Sequence, residues 1–160
     1  MKVFEKLVFP NGSYVPNRIA KAAMEENMAD LNHAPSEELM RLYQAWANGG
    51  VGLIITGNVM VDRRAMTGPG GVVLEDEKHL DTFKKWAQIG RSKGTQMWLQ
   101  INHPGRQMQA NLGQQTWAPS AISLDLGKIS NRFNTPIEMT ESMIAEVIQR
   151  FANTARLGEK

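Results

Sequence analysis

The chain has 160 residues, of which 42% are hydrophobic and 21% charged, and a formal net charge of +2. This composition suits one globular domain with its own core and excludes a disordered tail. The scattered basic residues argue against a nucleic-acid-binding stripe, and no apolar run approaches the roughly 20 residues that span a bilayer. The lack of cysteine excludes disulfides and thiolate chemistry and fits the cytoplasmic location that we predict.

The first predicted element is a β-hairpin over residues 7–16. Its turn signal is Asn11-Gly12, which lies between two short apolar runs. Pro10 and Pro16 restrict the hairpin to a small ribbon with edge-like strands. Because such a ribbon has no core of its own, we expect it to cap or plug another part of the fold.

Residues 18–23 are predicted to form a short strand, followed by a polar loop to Pro35. Ser36 then has the character of an N-cap, and an apolar stripe at helical spacing follows it. Gly49-Gly50 ends this helix, and the continuous apolar run over residues 51–56 predicts a strand buried on both faces.

The same pattern occurs twice more along the chain. A glycine-rich loop over residues 57–74 precedes a helix that is predicted from about Asp76 to near Gly94. A third strand covers residues 96–101, and a long loop follows it to Pro136. Thr140 is expected to cap a last helix that ends near Gly158.

The alternation of strands and helices predicts an α/β fold with parallel strands. An open doubly wound sheet and part of a barrel both fit, but the long loops that follow the strands favour the barrel. We therefore predict the N-terminal part of a (β/α)8 TIM barrel, incomplete in this chain and preceded by the hairpin. Residues 1–160 would be a single partial domain, with three βα units over residues 18–158 and the remainder of the barrel absent.

Four segments, in this order and spacing, resemble the old yellow enzyme family of NADH:flavin oxidoreductases. They are Asn17-Arg18-Ile19 with Ala22-Ala23-Met24, residues 51–58, Gln100-Ile101-Asn102-His103-Pro104-Gly105-Arg106, and Trp117-Ala118-Pro119-Ser120-Ala121 with residues 135–140. The resemblance implies a TIM barrel that binds FMN, uses NAD(P)H as reductant and reduces an activated alkene, such as an enone or enal. In such enzymes the flavin carries the redox chemistry and the protein positions it.

The resemblance also assigns cofactor-binding positions. Ala23 and Met24 match residues at which the backbone of the first strand approaches the flavin. Gly57 and Asn58 match the end of the second strand, beside the flavin ring. Gln100 matches a glutamine that hydrogen-bonds the pyrimidine side of the ring, for which its amide has both a donor and an acceptor.

Glu25 and Asn102 depart from the family pattern. Glu25 lies at a cofactor-binding position where the family usually has Thr or Cys, and a carboxylate there would disfavour further negative charge on the flavin. Asn102 matches a residue of the substrate pocket that is often aromatic or Ala. Asn58 departs as well, because it is larger than the Gly or Ala that is usual at its position.

No catalytic residue is assigned within the chain. His103 and Arg106 are interpreted as structural, and the histidines show no metal-ligand spacing, so no metal site is predicted. The resemblance places the carbonyl-polarising pair and the phosphate-binding arginines beyond Lys160. We expect no nucleic-acid or membrane partner, and either the missing barrel half or a homo-oligomer as protein partner.

Two alternatives remain open. In the first, the chain is a non-catalytic barrel fragment or partner module that assembles through its open sheet edges. A weaker interpretation is an aldolase- or dehydratase-like barrel, for which Lys21 would be the candidate lysine.

Overall fold

The computed structural model describes residues 2–160, and it begins with the predicted hairpin. A short 3-10 turn, Lys2–Phe4, precedes strands β1 (Leu7–Val8) and β2 (Tyr14–Val15), which pair antiparallel. Gly12 lies in the turn with φ of 84°, a conformation that glycine adopts without a steric penalty. The hairpin is therefore confirmed.

A parallel sheet of four strands forms the centre of the fold. Strand β4 (Leu53–Met60) pairs in parallel with β3 (Ala20–Lys21), β5 (Val72–Val73) and β6 (Gln96–Asn102). The predicted parallel arrangement is thus confirmed, although several predicted boundaries are wrong. The strand expected over residues 18–23 is only two residues long, and the loop expected over residues 57–74 contains the end of β4 and all of β5.

A register shift interrupts the pairing of β4 with β6. Ile55 lies opposite Trp98, whereas Asn58 lies opposite Gln100, so two residues of β4 face only Leu99 across the interruption. The unpaired stretch includes Thr56, whose Oγ1 accepts a hydrogen bond of 2.9 Å from the Gln100 backbone N–H. Such a bulge reverses which face of the strand the following side chains occupy.

The two faces of β6 differ in character as a result of strand alternation. Met97 and Leu99 face the helices and pack against the main hydrophobic core. Trp98 and Gln100 lie on the opposite face, where Trp98 contacts Phe9 of the hairpin with ring centroids 5.5 Å apart. The hairpin therefore covers one end of that face, as expected of a cap.

Three helices pack on one side of the sheet or beside it: α1 (Glu37–Asn48), α2 (Leu80–Gly90) and α3 (Glu141–Gly158). The caps predicted for α1 and α3 are confirmed, because Ser36 accepts a hydrogen bond from the Leu39 N–H and Thr140 accepts one from the Met143 N–H. Among residues 2–160, no helix is long and apolar enough to cross a membrane.

Helix α2 differs from its prediction at both ends. It starts at Leu80 rather than near Asp76, because residues 77–79 form turns and His79 makes no side-chain capping bond. It ends at Gly90, and a 3-10 turn over Ser92–Gly94 leads to β6. Lys93 within this turn has φ of 63°, which a continuing helix cannot accommodate.

The core lies between the sheet and helices α1, α2 and α3. Tyr43 and Trp86 meet at its centre with ring centroids 4.8 Å apart and an edge-to-face arrangement. Ile54 and Val59 of β4 are fully buried in the same cluster. Burial of such large side chains is the main source of stability in a domain of this size.

The long loop after β6 is not structureless. It contains three 3-10 turns (Gly105–Gln107, Ala110–Leu112 and Gly127–Arg132) and strand β7 (Trp117–Ala118). Strand β8 (Ile137–Glu138) follows and pairs in parallel with β7. The predicted loop over residues 102–136 is therefore folded back upon itself and leads directly into α3.

Ser36 provides a test of how α1 is fixed. Its Oγ accepts from the Leu39 N–H at 3.1 Å and donates to the Met28 carbonyl oxygen at 2.6 Å. Ser36→Ala is expected to lower the free energy of unfolding by about 1–2 kcal/mol, because both bonds are lost. Chemical denaturation measures this change, and Ser36→Thr, which retains the hydroxyl, should lose clearly less; equal losses would contradict the capping role.

Candidate functional site

The carboxyl ends of the parallel strands bring together three of the predicted site residues. Gln100 Nε2 donates to Asn58 Oδ1 at 3.0 Å, and Asn58 Nδ2 donates to Glu25 Oε2 at 3.4 Å. The Thr67 hydroxyl donates to the other carboxylate oxygen of Glu25. These side chains form a continuous polar chain, which we call the Gln100–Asn58–Glu25 chain.

The bulge in β4 is what places Asn58 in this chain. Before the bulge, Ile55 shares a face with Trp98, and after it Asn58 shares that same face with Gln100. Gln100 Oε1 accepts no hydrogen bond from residues 2–160. Its amide therefore retains an acceptor and one N–H for a ligand on this face.

Ala23 and Met24 lie in the loop after β3, beside the end of β4. Both are exposed, and 59% of Met24 is accessible. Outside the strand ladders of the described chain, no backbone hydrogen bond engages Ala23, Met24 or Glu25. Their amide and carbonyl groups therefore keep their hydrogen-bonding capacity for a ligand edge, although the Met24 carbonyl oxygen also lies close to Gly57 of β4.

Gly57 allows this loop to lie directly against β4. A Cβ at Gly57 would collide with the Met24 carbonyl oxygen and the Glu26 carboxylate, and would lie 2.9 Å from the Glu25 Cα. Gly57 is therefore required by the approach of the protein's own loop. The predicted cofactor contact of Gly57 stays a prediction.

Asn102 lies at the same end of the sheet but is not part of the Gln100–Asn58–Glu25 chain. Its Nδ2 contacts the Met60 sulfur at 3.7 Å, and its carbonyl oxygen accepts from the Val61 N–H at 3.1 Å. It shares a face of β6 with Gln100, because the two residues are two positions apart along the strand. This position is consistent with the predicted place in a substrate pocket.

A charged cluster that sequence reasoning missed follows β4. The buried Asp62 pairs with Arg64 at 2.7 Å and with Arg150 of α3 at 3.2 Å, and Arg64 also contacts Glu146 at 2.5 Å. Burial raises the pKa of Asp62, but hydrogen bonds and positive charge from the two arginines outweigh it and lower the pKa overall. The cluster ties α3 to the end of β4.

His103 lies beside a cavity of about 220 Å³ that is lined in part by Asp62, Arg64 and Trp117. Its Nδ1 accepts a hydrogen bond of 3.1 Å from the Gly105 N–H. Burial lowers the pKa of His103, although the nearby Asp62 carboxylate opposes the change. A neutral ring whose Nδ1 serves the adjacent turn fits the predicted structural role better than a proton donor.

Arg106 and Lys21 both bind other groups of the protein. Arg106 donates to the Ile122 carbonyl oxygen and to Ser120 Oγ, each at 2.9 Å, which anchors the long loop. Lys21 pairs with Glu26 at 3.0 Å on the side of the sheet that faces α1. A lysine whose charge is paired in this way gives no support to the aldolase-like interpretation.

Among residues 2–160, no group of three or more acidic or histidine side chains could hold a metal ion.

Comparison with known proteins identifies the family. The family model of the NADH:flavin oxidoreductase / NADH oxidase family matches residues 2–160. The chain belongs to this family. The sequence-based recognition is therefore confirmed, and the family members that it matches are enzymes.

Two curated relatives illustrate the range of the family. The NADH-dependent flavin oxidoreductase iliE of Neonectria sp. (strain DH2) is 36% identical over 162 residues, which cover 91% of this chain and 21% of that protein. The NADH:acrylate oxidoreductase of Vibrio harveyi is 29% identical over 154 residues, which cover 95% of this chain and 15% of that protein. The chain therefore spans only a small part of either relative.

Solved structures support the same fold. The old yellow enzyme homologue from Zymomonas mobilis superimposes with a TM-score of 0.83 at 22% identity and covers 98% of this chain, which in turn covers 45% of that structure. The strands and helices described above are therefore part of an old-yellow-enzyme-type TIM barrel. The predicted incomplete barrel is confirmed.

The residues present fit the ring edge of a flavin, the cofactor class in the family's description. The pyrimidine edge of a flavin offers one N–H between two carbonyl oxygens. Gln100 retains both an acceptor and a donor, and the loop backbone at Ala23 and Met24 is unengaged. The donor set and the open backbone therefore match the ring edge.

Gly57 permits a test of the close approach between the loop and β4. Gly57→Ala is expected to lower the free energy of unfolding by about 2 kcal/mol or more, because the obstacle is largely backbone. Gly71→Ala is the matched control, since its Cβ would meet the flexible end of Met66, and it should cost under about 1 kcal/mol. Similar losses in both variants, measured by chemical denaturation, would contradict this packing.

His103 predicts a pH dependence of stability. Its pKa in the folded chain lies below the ordinary value of 6.5, so the unfolded chain takes up the proton first as pH falls. The contribution of His103 to the free energy of unfolding should therefore be at its maximum above about pH 7. It should decline as the pH falls through about 6.5 and below.

Urea denaturation between about pH 7.5 and about pH 5.5 measures this decline. His103→Asn keeps an acceptor for the Gly105 N–H and should show a shallower decline than the unmodified chain. Gln114→Asn changes a non-titrating residue of the same cavity and should leave the decline unchanged. An unaltered decline in His103→Asn would contradict the prediction.

Proposed function

We propose that the chain is the N-terminal part of an FMN-dependent NAD(P)H oxidoreductase that reduces activated alkenes such as enones and enals. The observation that carries this proposal is the Gln100–Asn58–Glu25 chain at the carboxyl ends of β4 and β6, within a chain of the NADH:flavin oxidoreductase family. Ligand sites of barrel enzymes lie at that end of the strands.

In the proposed holoenzyme, Gln100, Ala23 and Met24 bind the ring edge of FMN. Gln100 donates and accepts hydrogen bonds through its amide, while Asn58 fixes the orientation of that amide through the 3.0 Å bond between them. When bound, FMN would supply the hydride transfer from the nicotinamide cofactor to the alkene. The protein's contribution is orientation, which a fixed amide supplies without reorganisation.

Glu25 gives the proposed site a negative charge close to the ring edge. Its carboxylate accepts from Asn58 and Thr67, so it is held in one orientation rather than free in solvent. A fixed carboxylate disfavours additional negative charge nearby. We infer that Glu25 lowers the reduction potential of the bound cofactor relative to a family member with Thr or Cys at this position.

Asn102 is proposed to line the substrate pocket, on the same face as Gln100. Its amide suits a polar group on the substrate, whereas an aromatic side chain would not. The Vibrio harveyi relative is named for acrylate, an alkene activated by a carboxylate. An alkene that carries a polar activating group is therefore the substrate class that we propose, with NADH as the reductant named for both relatives.

The remaining parts of the reaction are proposed to lie outside this chain. Residues 1–160 form one partial domain in this proposal, and the carbonyl-polarising pair and the phosphate site belong to the later strands of the barrel. The chain spans 21% of the Neonectria relative and 45% of the Zymomonas structure, which supports a larger parent protein.

A second candidate function is a non-catalytic module that assembles through its sheet edges. In residues 2–160, β6 pairs with β4 alone, and β3 forms only two residues of ladder. Such edges can pair with another chain. Sedimentation of the 160-residue chain tests this alternative, which predicts stable oligomers. A folded, monodisperse monomer would rule it out.

The full-length protein that contains residues 1–160 is expected to purify with bound FMN and to oxidise NADH when an α,β-unsaturated ketone is added. Gln100→Leu should raise the dissociation constant of FMN about tenfold, because the ring edge and Asn58 both lose a partner. Gln96→Leu, on the same face of β6 but at its other end, is the matched control and should leave FMN binding unchanged. A colourless protein that takes up no FMN would refute the proposal.

The isolated 160-residue chain should bind FMN weakly and reduce no alkene, because the phosphate site and the carbonyl-polarising pair lie elsewhere in this proposal. Fluorescence titration with FMN and an NADH-consumption assay measure both properties. Micromolar or tighter FMN binding, or measurable enone reduction, by the isolated chain would contradict this division of the site.

A further inference from the structure

A buried ion pair lies beneath the proposed site, between the sheet and helix α1. Lys21 Nζ lies 3.0 Å from Glu26 Oε1, and only 10% and 8% of the two side chains are exposed. Lys21 Nζ also donates to the Ile55 carbonyl oxygen at 3.2 Å. Neither charge belongs to the Gln100–Asn58–Glu25 chain, so their burial requires a separate explanation.

Tyr43 of α1 connects this ion pair to β4. Its hydroxyl donates to Glu26 Oε1 at 2.8 Å and accepts from the Gly57 backbone N–H at 3.2 Å. Burial and the neighbouring Glu26 carboxylate raise the pKa of Tyr43, so the hydroxyl remains protonated. The carboxylate of Glu26 is therefore fixed by two donors, one from β3 and one from α1.

The aromatic face of α1 completes the surroundings of the ammonium group. Lys21 Nζ lies 4.5 Å from the centroid of the Trp46 ring and 5.4 Å from that of the Tyr43 ring. Both distances lie within the range of a cation–π interaction. The lysine thus has a carboxylate, a carbonyl oxygen and two aromatic rings as neighbours, and its position is fully determined.

Stability alone is a poor explanation for such a pair. Replacing a buried ion pair by apolar side chains of similar volume is often neutral or stabilising, because two charges no longer lose their hydration. What the pair supplies is a defined geometry for the residues attached to it. Here those residues are the loop after β3, since Glu26 directly follows Met24 and Glu25.

The loop is held from two opposite sides. On one side, Glu26 is fixed by the ion pair, and on the other side, Glu25 is fixed by Asn58 and Thr67. Glu25 and Glu26 are adjacent in the chain, so both anchors act on one short piece of backbone. The absence of a Cβ at Gly57 lets that piece rest on β4.

We propose that Lys21, Glu26 and Tyr43 are positioning residues, which hold the backbone of Met24 and Glu25 in the geometry that FMN binding requires. This inference rests on the function proposed above. The three residues touch neither substrate nor cofactor, and they act through the loop that does. Their loss should therefore change the affinity and the spectrum of bound FMN, beyond any change in folding.

The test uses the full-length protein that contains residues 1–160 and two variants. Tyr43→Phe keeps the ring but removes both hydrogen bonds of the hydroxyl. The double variant Lys21→Met/Glu26→Met replaces the ion pair by apolar side chains. For each protein, the dissociation constant of FMN is measured by fluorescence titration of the apoprotein, together with the visible spectrum of bound FMN and the thermal midpoint.

Both variants are expected to raise the dissociation constant of FMN about tenfold and to shift the visible spectrum, because a displaced loop misplaces the groups that contact the ring. The double variant is expected to keep a thermal midpoint close to that of the unmodified protein. A purely structural role would not weaken FMN binding while leaving the thermal midpoint unchanged.

Glu37→Gln is the matched control, since Glu37 forms an ion pair with Lys85 in which 65% of the Glu37 side chain is exposed. It should leave all three measurements unchanged. If Tyr43→Phe or a folded double variant binds FMN with unmodified affinity and spectrum, the positioning role is overturned while the proposed function stands. If the unmodified protein binds no FMN, the proposed function fails and the positioning role fails with it.

Discussion

The parallel pairing of strand β4 is the constraint on which the rest of the structure depends. β4 hydrogen-bonds β6 along one side, and β3 and β5 along the other, so its backbone fixes the direction of all its neighbours. Parallel strands end at the same edge of a sheet. The loops after β3, β4 and β6 therefore meet at one place, and with them the side chains of Glu25, Asn58 and Gln100.

Much of this arrangement can be predicted from the sequence, because the signals are local. Asn11-Gly12 specifies a hairpin turn, and Ser36 and Thr140 specify helix starts through hydrogen bonds to residues three positions away. Strand β5 and the start of α2 depend instead on distant partners. Val72 and Val73 become a strand only because the end of β4 lies beside them, and His79 offers no capping bond that would mark a helix start.

The site was accessible to sequence reasoning only through resemblance to a family, and only in part. The resemblance assigns Gln100, Asn58 and Gly57 to a cofactor site, but it gives neither the hydrogen bond between Gln100 and Asn58 nor the close approach of the protein's own loop to Gly57. The burial of Lys21 and Glu26 could not be foreseen. Charged residues five positions apart in a short strand and loop are usually solvated, and only the aromatic face of α1 encloses them here.

The bulge in β4 has a consequence for how the length of this strand can change during evolution. It adds one residue relative to β6, so Ile55 and Asn58 lie on the same face although they are three positions apart. Deleting Thr56 or Gly57 would leave Ile55 and Asn58 two positions apart, and the alternation of a regular strand would still hold them on that face. Elsewhere in β4, a one-residue insertion or deletion would exchange the side chains on the Gln100 face with those of the core. A change in the length of this strand therefore keeps both faces intact when it occurs at the bulge, whereas the rest of the strand keeps them only under substitution.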